Sequence, residues 1–276
     1  MNTEKIKNNM NTISEMPSIV FRAKGILFSI PSINAQSIIQ MPEITKIPDT
    51  PTEIRGIIKH RNEIYNLIDF RKKLSFKSLH EELEEFKIMI DQREHDHINW
   101  LQELQNSVDE DRSFKLTTDP HKCAFGKWYD NFKTDNFFIN DVLKKFDRPH
   151  QIIHGIAQKI EKLKEQNNFE EAHSLIKVTR EQELSQMKIL FSKIKETIQI
   201  HSTERVILFN GRSKFAIAVD QIESVEEIKK IETKDANDRL LDFGNQNFIT
   251  GLGEDKNKNI VILISEELLN PVSSAA

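Results

Sequence analysis

The hydrophobic period changes twice along the 276 residues, and those two changes limit the fold more tightly than any single motif. Over residues 19–70 and again over 205–264, apolar positions come in short β-branched and aromatic runs separated by turn residues. Between Ser78 and about residue 200 they recur every three or four positions, as on one face of a helix. A period of two cannot line a helix, and a period of 3.6 cannot line one face of a sheet. The chain therefore reads as α+β, a β domain interrupted by an inserted antiparallel helical bundle. Either flank alone, at about 60 to 75 residues, would be marginal as a domain, so the two are expected to share one fold. The expected division is a flexible N-terminus at 1–16, a β domain at 17–76 continued at 203–276, and a helical domain at 77–202.

In the first flank, residues 19–23 and 26–30 read as strands about a turn at Lys24-Gly25. Pro42, Pro48 and Pro51 then punctuate a loop that excludes helix. Residues 56–70 give two more strands around the polar turn Arg61-Asn62. In the second flank, residues 205–209 and 214–219 make a hairpin about Asn210-Gly211. Residues 221–228 and 259–264 read as strands, Gly251-Leu252-Gly253 as a turn, and Leu268-Leu269 as the close of a short helix.

The insertion opens with Ser78 as N-cap and Glu81 as its partner. Leu83, Phe86, Ile90, His97, Leu101, Leu104 and Val108 then form a helical seam, which aims His97 inward and His95 away. A polar loop over 109–119 ends at Asp119-Pro120, where proline at the first helical position starts a short helix with Cys123 in its first turn. A helix from near Pro149 carries Ile152, Ile153, Ile156, Ile160 and Leu163 together with His150 and His154. The last runs from Asn168, capped by Glu171, through Ile198. That makes three substantial helices and one short one.

The formal charge of -4, from 39 Lys+Arg against 43 Asp+Glu, excludes the basic field that nucleic acid or an anionic membrane would select. No apolar run approaches the roughly 20 residues of a membrane span, and residues 1–16 lack the apolar centre of a secretion signal, so a cytoplasmic protein is expected. One cysteine excludes an internal disulfide and leaves Cys123 for metal or redox chemistry. His150-x-x-x-His154 sets two imidazoles on one helix face, and with His97 and Cys123 they make a common closed set for tetrahedral Zn2+. Taken singly, each has a plainer reading: a core histidine, or a cysteine acting as a small buried hydrophobe. Glu94-x-x-His97 and Glu170-x-x-His173 read alternatively as the paired ligands of a di-iron helical-bundle enzyme, which has no use for Cys123. No nucleophile–base triad or phosphate-binding glycine loop is found, so the expectation is that the protein is not an enzyme.

His97-x-x-Trp100, Cys123-x-Phe125-Gly126-x-Trp128 and His150-x-x-x-His154 resemble, in order and spacing, the signature of the chemoreceptor zinc-binding (CZB) domain, over about residues 80–200. The resemblance implies that His97, Cys123, His150 and His154 bind zinc and that Trp100, Phe125 and Trp128 wall the metal from water. His121 matches no ligand position. The flanks, at residues 21–30, 54–61, 67–71 and 215–222, look like the CheW domain, the coupling fold of bacterial chemotaxis arrays. That fold is similar to two small five-stranded β-barrels packed together, and it joins chemoreceptor cytoplasmic tips to the regulatory domain of the histidine kinase CheA. Arg61 matches the basic residue of the family's Leu-Arg-Gly turn and is the candidate partner-binding residue, although a solvated turn arginine reads the same way. Asn62 stands where the family has glycine, Asn66 where it has proline, and Ser37 where an acidic residue is common. The resemblance implies a cytoplasmic adaptor whose insert senses oxidant, such as hypochlorous acid, or zinc supply, with Cys123 as the redox group. A purely structural zinc, and a homodimer formed through the helical domain, stay open.

Overall fold

The computed structural model describes residues 17–134, 137–211, 213–231 and 247–269. The N-terminal segment 1–16 lies outside the described residues. The chain divides into two units, Met1–Leu79 with Ser202–Ala276 and His80–His201.

The first unit holds β1 (Ser18–Ala23), β2 (Ile26–Pro31), β3 (Ala35–Gln40), β4 (Ile54–His60), β5 (Glu63–Asp69) and the short helix α1 (Phe70–Lys73). A six-helix stretch, given below as α2 to α7, then intervenes in the chain. After it come β6 (Arg205–Asn210), β7 (Lys214–Val219), β8 (Gln221–Glu226), β9 (Lys229–Lys230), β10 (Ile249–Glu254), β11 (Ile260–Ile264) and α8 (Glu266–Leu269). The strands form one sheet in the order β8-β1-β2-β11-β10-β9 and a second in the order β3-β6-β7-β5-β4. Each sheet draws strands from both flanks of the insertion. Most neighbours run antiparallel, whereas β2 with β11 and β5 with β7 are parallel. Period-two alternation places Ile207 and Phe209 of β6 in a core with Phe21, Phe28 and Phe70, while the alternate residues Val206 and Leu208 share a second cluster with Ile58, Tyr65 and Leu67. The Phe70 ring meets Phe21 at 5.0 Å and Phe28 at 4.9 Å, both edge to face. Burying one such ring contributes about 2–3 kcal/mol.

Local chemistry explains where this unit departs from the sequence reading. Gly251-Leu252-Gly253, expected as a turn, lies inside strand β10. Gly251 has φ +154° at a register shift against β11, so this glycine marks a bulge in a strand. Strand β3, ahead of the proline loop, was not expected; its alternating half-buried and exposed positions fit the edge of a sheet. At the β4–β5 turn Arg61 and Asn62 have φ of 46° and 65°. Both are left-handed, as a two-residue hairpin of the I′ type requires, and asparagine tolerates that conformation nearly as well as glycine.

The second unit contains α2 (Leu79–Asp109), α3 (Ala124–Asn131), α4 (Phe137–Lys144), α5 (Asp147–Glu165), α6 (Phe169–Thr179) and α7 (Ser185–His201), with a π-type turn over Arg180–Leu184 joining the last two. The seam residues Ile90, Leu101, Leu104 and Val108 share one core with Ile153, Ile160, Ile176 and Ile194. The final helix, expected as one uninterrupted run, carries the π turn, which shifts the phase of its apolar stripe so that Thr179, Leu184 and Met187 are all buried. Helix α4 was not expected, and its Ile139, Val142 and Leu143 fill the same core. The short helix starts four residues later than proline placement suggested, so Cys123 is its N-cap. No helix among the described residues is long and apolar enough to cross a membrane.

Candidate metal centre

Three local structures bring the centre together. His97 occupies the α2 seam and is 2% exposed; His150 and His154, one turn apart on α5, are 5% and 1% exposed. Cys123 caps α3, where its sulfur accepts the Gly126 N–H at 3.1 Å. Glycine is required at 126, because a Cβ there would stand 1.9 Å from the Pro120 carbonyl oxygen. The close approach of α3 to the Pro120 turn is thus what aims the sulfur inward.

One donor atom from each of His97, Cys123, His150 and His154 lies within 4.8 Å of the others, and the Cys123 sulfur is 3.2 Å from His150 Nε2. Tetrahedral zinc, with bonds of about 2.0–2.3 Å, needs donors roughly 3.3–3.7 Å apart, so small side-chain adjustments close the set. The tautomers fit as well. His97 Nδ1 lies 2.7 Å from the Arg93 carbonyl oxygen and His154 Nδ1 lies 3.3 Å from that of Thr117. A carbonyl only accepts, so each Nδ1 carries the proton and each Nε2 presents a bare lone pair to the cluster. Among the described residues, His97 Nε2 and His154 Nε2 find no hydrogen-bond partner although both are buried. Unanswered buried nitrogens cost about 1–3 kcal/mol each, and a shared cation answers both. The donor set therefore fits zinc.

The electrostatics are those of a dry pocket. Burial, with the neighbouring imidazoles adding to it, pushes His150 down to about 3 and His154 down to about 4, and burial lowers His97 too. All three are neutral at pH 7, the form that ligates metal. Burial raises the Cys123 thiol, against the opposing pull of the Gly126 N–H. Phe125 stands edge-on to His97 at 5.6 Å and to His150 at 5.0 Å, and Trp100 lies 4.8 Å from His154. Trp128, expected as a wall of the site, packs with tilted ring planes against Phe125 at 5.6 Å and Phe86 at 5.9 Å. On one side a cleft of about 520 Å³ reaches Cys123, lined by Asn99, Leu116 and Lys127 among others.

The other candidates lie elsewhere. His121 is largely exposed and pairs with Asp130 at 2.9 Å. His173 meets Gln105 at 2.6 Å and Asp109 at 3.5 Å, and neither it nor Glu94 joins the cluster that holds His97. The paired Glu-x-x-His groups of the di-iron reading are therefore not brought together. Arg61 is exposed at the tip of the β4–β5 hairpin, in the other unit. Sequence reasoning missed the carbonyls of Arg93, Thr117 and Pro120, since a backbone group has no signature in residue identity. Only Gly126, within its motif, hinted at the close approach.

Residues 17–98 match the CheW-like domain family, and residues 97–161 match the chemoreceptor zinc-binding domain family. The second match contains all four clustered residues. The chain also aligns with the scaffolding protein TtCheW from Thermoanaerobacter tengcongensis at 13% identity, over 94% of this chain and 95% of that one, with a TM-score of 0.39. So loose a superposition carries no structural conclusion. No curated protein matches the chain.

Proposed function

A chain that pairs CheW-like sequence with a chemoreceptor zinc-binding sequence is, we propose, a cytoplasmic chemotaxis adaptor. In this reading the β unit joins chemoreceptor tips to the histidine kinase CheA, with Arg61 as a partner contact, and the helical insert tunes that coupling. The observation that carries the reading is the convergence of four donor atoms within 4.8 Å inside the zinc-domain match. His97, Cys123, His150 and His154 would hold the ion, which when bound keeps the sulfur as thiolate and ties α2, α3 and α5 together.

The cleft at Cys123 gives a small oxidant access to the sulfur. The thiolate attacks the oxygen of hypochlorous acid, an S–O bond forms as the O–Cl bond breaks, two electrons leave sulfur, and chloride departs from a sulfenic acid. The sulfur is then a poorer donor, and the helices it joins loosen. The zinc-supply version uses the same four residues with reversible loading as the signal. Self-association is assigned to the helical unit, where Ile88 and Ile189 are 69% and 67% exposed. Sedimentation of Ile189→Lys as a monomer and of the parent as a dimer would support that assignment, and identical sedimentation would reject it.

The test of the main reading is association with the regulatory domain of CheA for zinc-loaded, zinc-stripped and oxidant-treated protein. Oxidant is expected to release zinc and change the association of the parent while leaving Cys123→Ser unresponsive. Equal association in all three states would leave zinc as a staple only. Full zinc occupancy and an unchanged oxidant response in Cys123→Ser would reject the redox version.

A further inference from the structure

We propose that Trp100 is a positioning residue for the metal centre, whose indole N–H holds the Thr117 carbonyl against the imidazole of His154. The sequence marks Trp100 as a wall, and its ring does pack at 4.8 Å from His154 and 4.9 Å from Phe114. Packing alone, however, does not account for the polar end of the indole. Trp100 Nε1 donates to the Thr117 oxygen at 2.8 Å, and His154 Nδ1 reaches the same oxygen at 3.3 Å. One carbonyl carries two lone pairs, so it can accept from both donors at once.

The arrangement has a direction of control. Thr117 lies in the irregular segment between α2 and α3, which has no ladder of its own to fix where a carbonyl points. Trp100 stands on the rigid 31-residue α2, one turn beyond His97. The shorter bond is the indole's, so α2 sets the carbonyl and the carbonyl sets His154. Through that oxygen, the helix that supplies one ligand orients another ligand that belongs to α5. An oriented carbonyl fixes the Nδ1–H tautomer of His154 and leaves Nε2, buried and without a hydrogen-bond partner among the described residues, for the metal. Without the indole donor the carbonyl can turn, and His154 would sample both tautomers and a wider range of ring angles.

The inference rests on the zinc reading above, and its test separates the two. Zinc affinity is measured by chelator competition on the full chain, and the His154 tautomer by nitrogen-15 NMR on the metal-free protein. Trp100→Phe keeps a ring but loses the N–H. Benzothienylalanine placed at position 100 keeps the whole indole shape and loses only the N–H, so it serves if the phenylalanine variant folds poorly. Both are expected to bind zinc about 10- to 100-fold more weakly, with His154 a mixture of tautomers. Phe114→Leu, which thins the packing but spares the N–H, is expected to stay within about threefold of the parent, well short of that range. Parent affinity and a single tautomer in the benzothienyl protein would overturn the role of Trp100. So would an equal loss in Phe114→Leu. If the parent itself bound no zinc, the zinc reading would fail instead.

Discussion

The β unit and the helical unit bury polar groups in different company. In the β unit the buried charges answer one another. Arg71, 6% exposed, grips Asp220 through two bonds of 2.5 and 2.6 Å. Arg55 holds both oxygens of Glu204 at 2.8 and 2.7 Å and reaches Asp69 at 3.6 Å. Because Arg55 and Arg71 precede the insertion and their partners Glu204 and Asp220 follow it, these two pairs also fasten its two flanks. In the helical unit three buried imidazoles and a thiol face one another, and two of the ring nitrogens have no hydrogen-bond partner among the described residues. The β unit also leaves His60 Nε2 and Asp69 Oδ2 without a hydrogen-bond partner, but among the described residues only the helical unit gathers four metal-binding donors at one point, and that cluster asks for a cation. Perturbations should therefore separate the units.

The largest separation should come from metal. With free zinc about 1,000-fold above its dissociation constant, binding adds about 4 kcal/mol to the folded state, so chelation should lower the stability of residues 80–201 by that amount. Hydrogen exchange resolved by peptide should show the loss there and none in the β strands. Equal loss in both would erase the distinction. Arg71→Met should act in the reverse sense. It leaves the Asp220 carboxylate without its countercharge, keeping only the Lys24 N–H, and should cost the β unit about 3 kcal/mol, while zinc affinity stays at the parental value.

Acidification of metal-free protein should be smaller and carry a sign. Burial holds His150 at about 3 and His154 at about 4, below the ordinary 6.5, so the unfolded chain binds more protons than the folded one. Their stabilising contribution is present above pH 6.5 and lost as pH falls. Between pH 7 and 6 the helical unit should lose about 1 kcal/mol. Burial raises Asp69 and Glu204 instead, so their contribution is present at low pH and lost as pH rises through those raised values. Chemical unfolding followed by unit-specific probes at the two pH values checks this, and a parallel fall in both units would contradict it. The smallest effect on stability is expected from Arg61→Ala, within about 0.5 kcal/mol, because the side chain is exposed on a turn. Weaker association with CheA at unchanged stability would mark Arg61 as a contact, and unchanged association would leave it a solvated turn residue.

How much of this was legible follows from what a sequence can encode. The α2 seam, with His97 among Leu101 and Leu104, and the alternation of β6 were readable because burial repeats at the period of the backbone. Helix α4 was not, since eight residues give barely two turns in which a period can show. Cys123 could be assigned to a helix start, but its place as N-cap depended on how closely α3 approaches Pro120, a tertiary fact signalled only by Gly126. The side chains of the candidate centre could be named from their resemblance to the chemoreceptor zinc-binding signature. The carbonyls that set their tautomers could not, because every residue has one.

In the proposed centre one zinc ion joins His97, Cys123, His150 and His154. X-ray absorption at the zinc edge on protein with measured metal content tests it most directly. One zinc per chain is expected, with one sulfur at about 2.3 Å and three nitrogens at about 2.0–2.1 Å, and with the sulfur shell lost in Cys123→Ser. Protein that takes up no zinc, or holds it in a nitrogen and oxygen shell with no sulfur, would rule out the four-residue site.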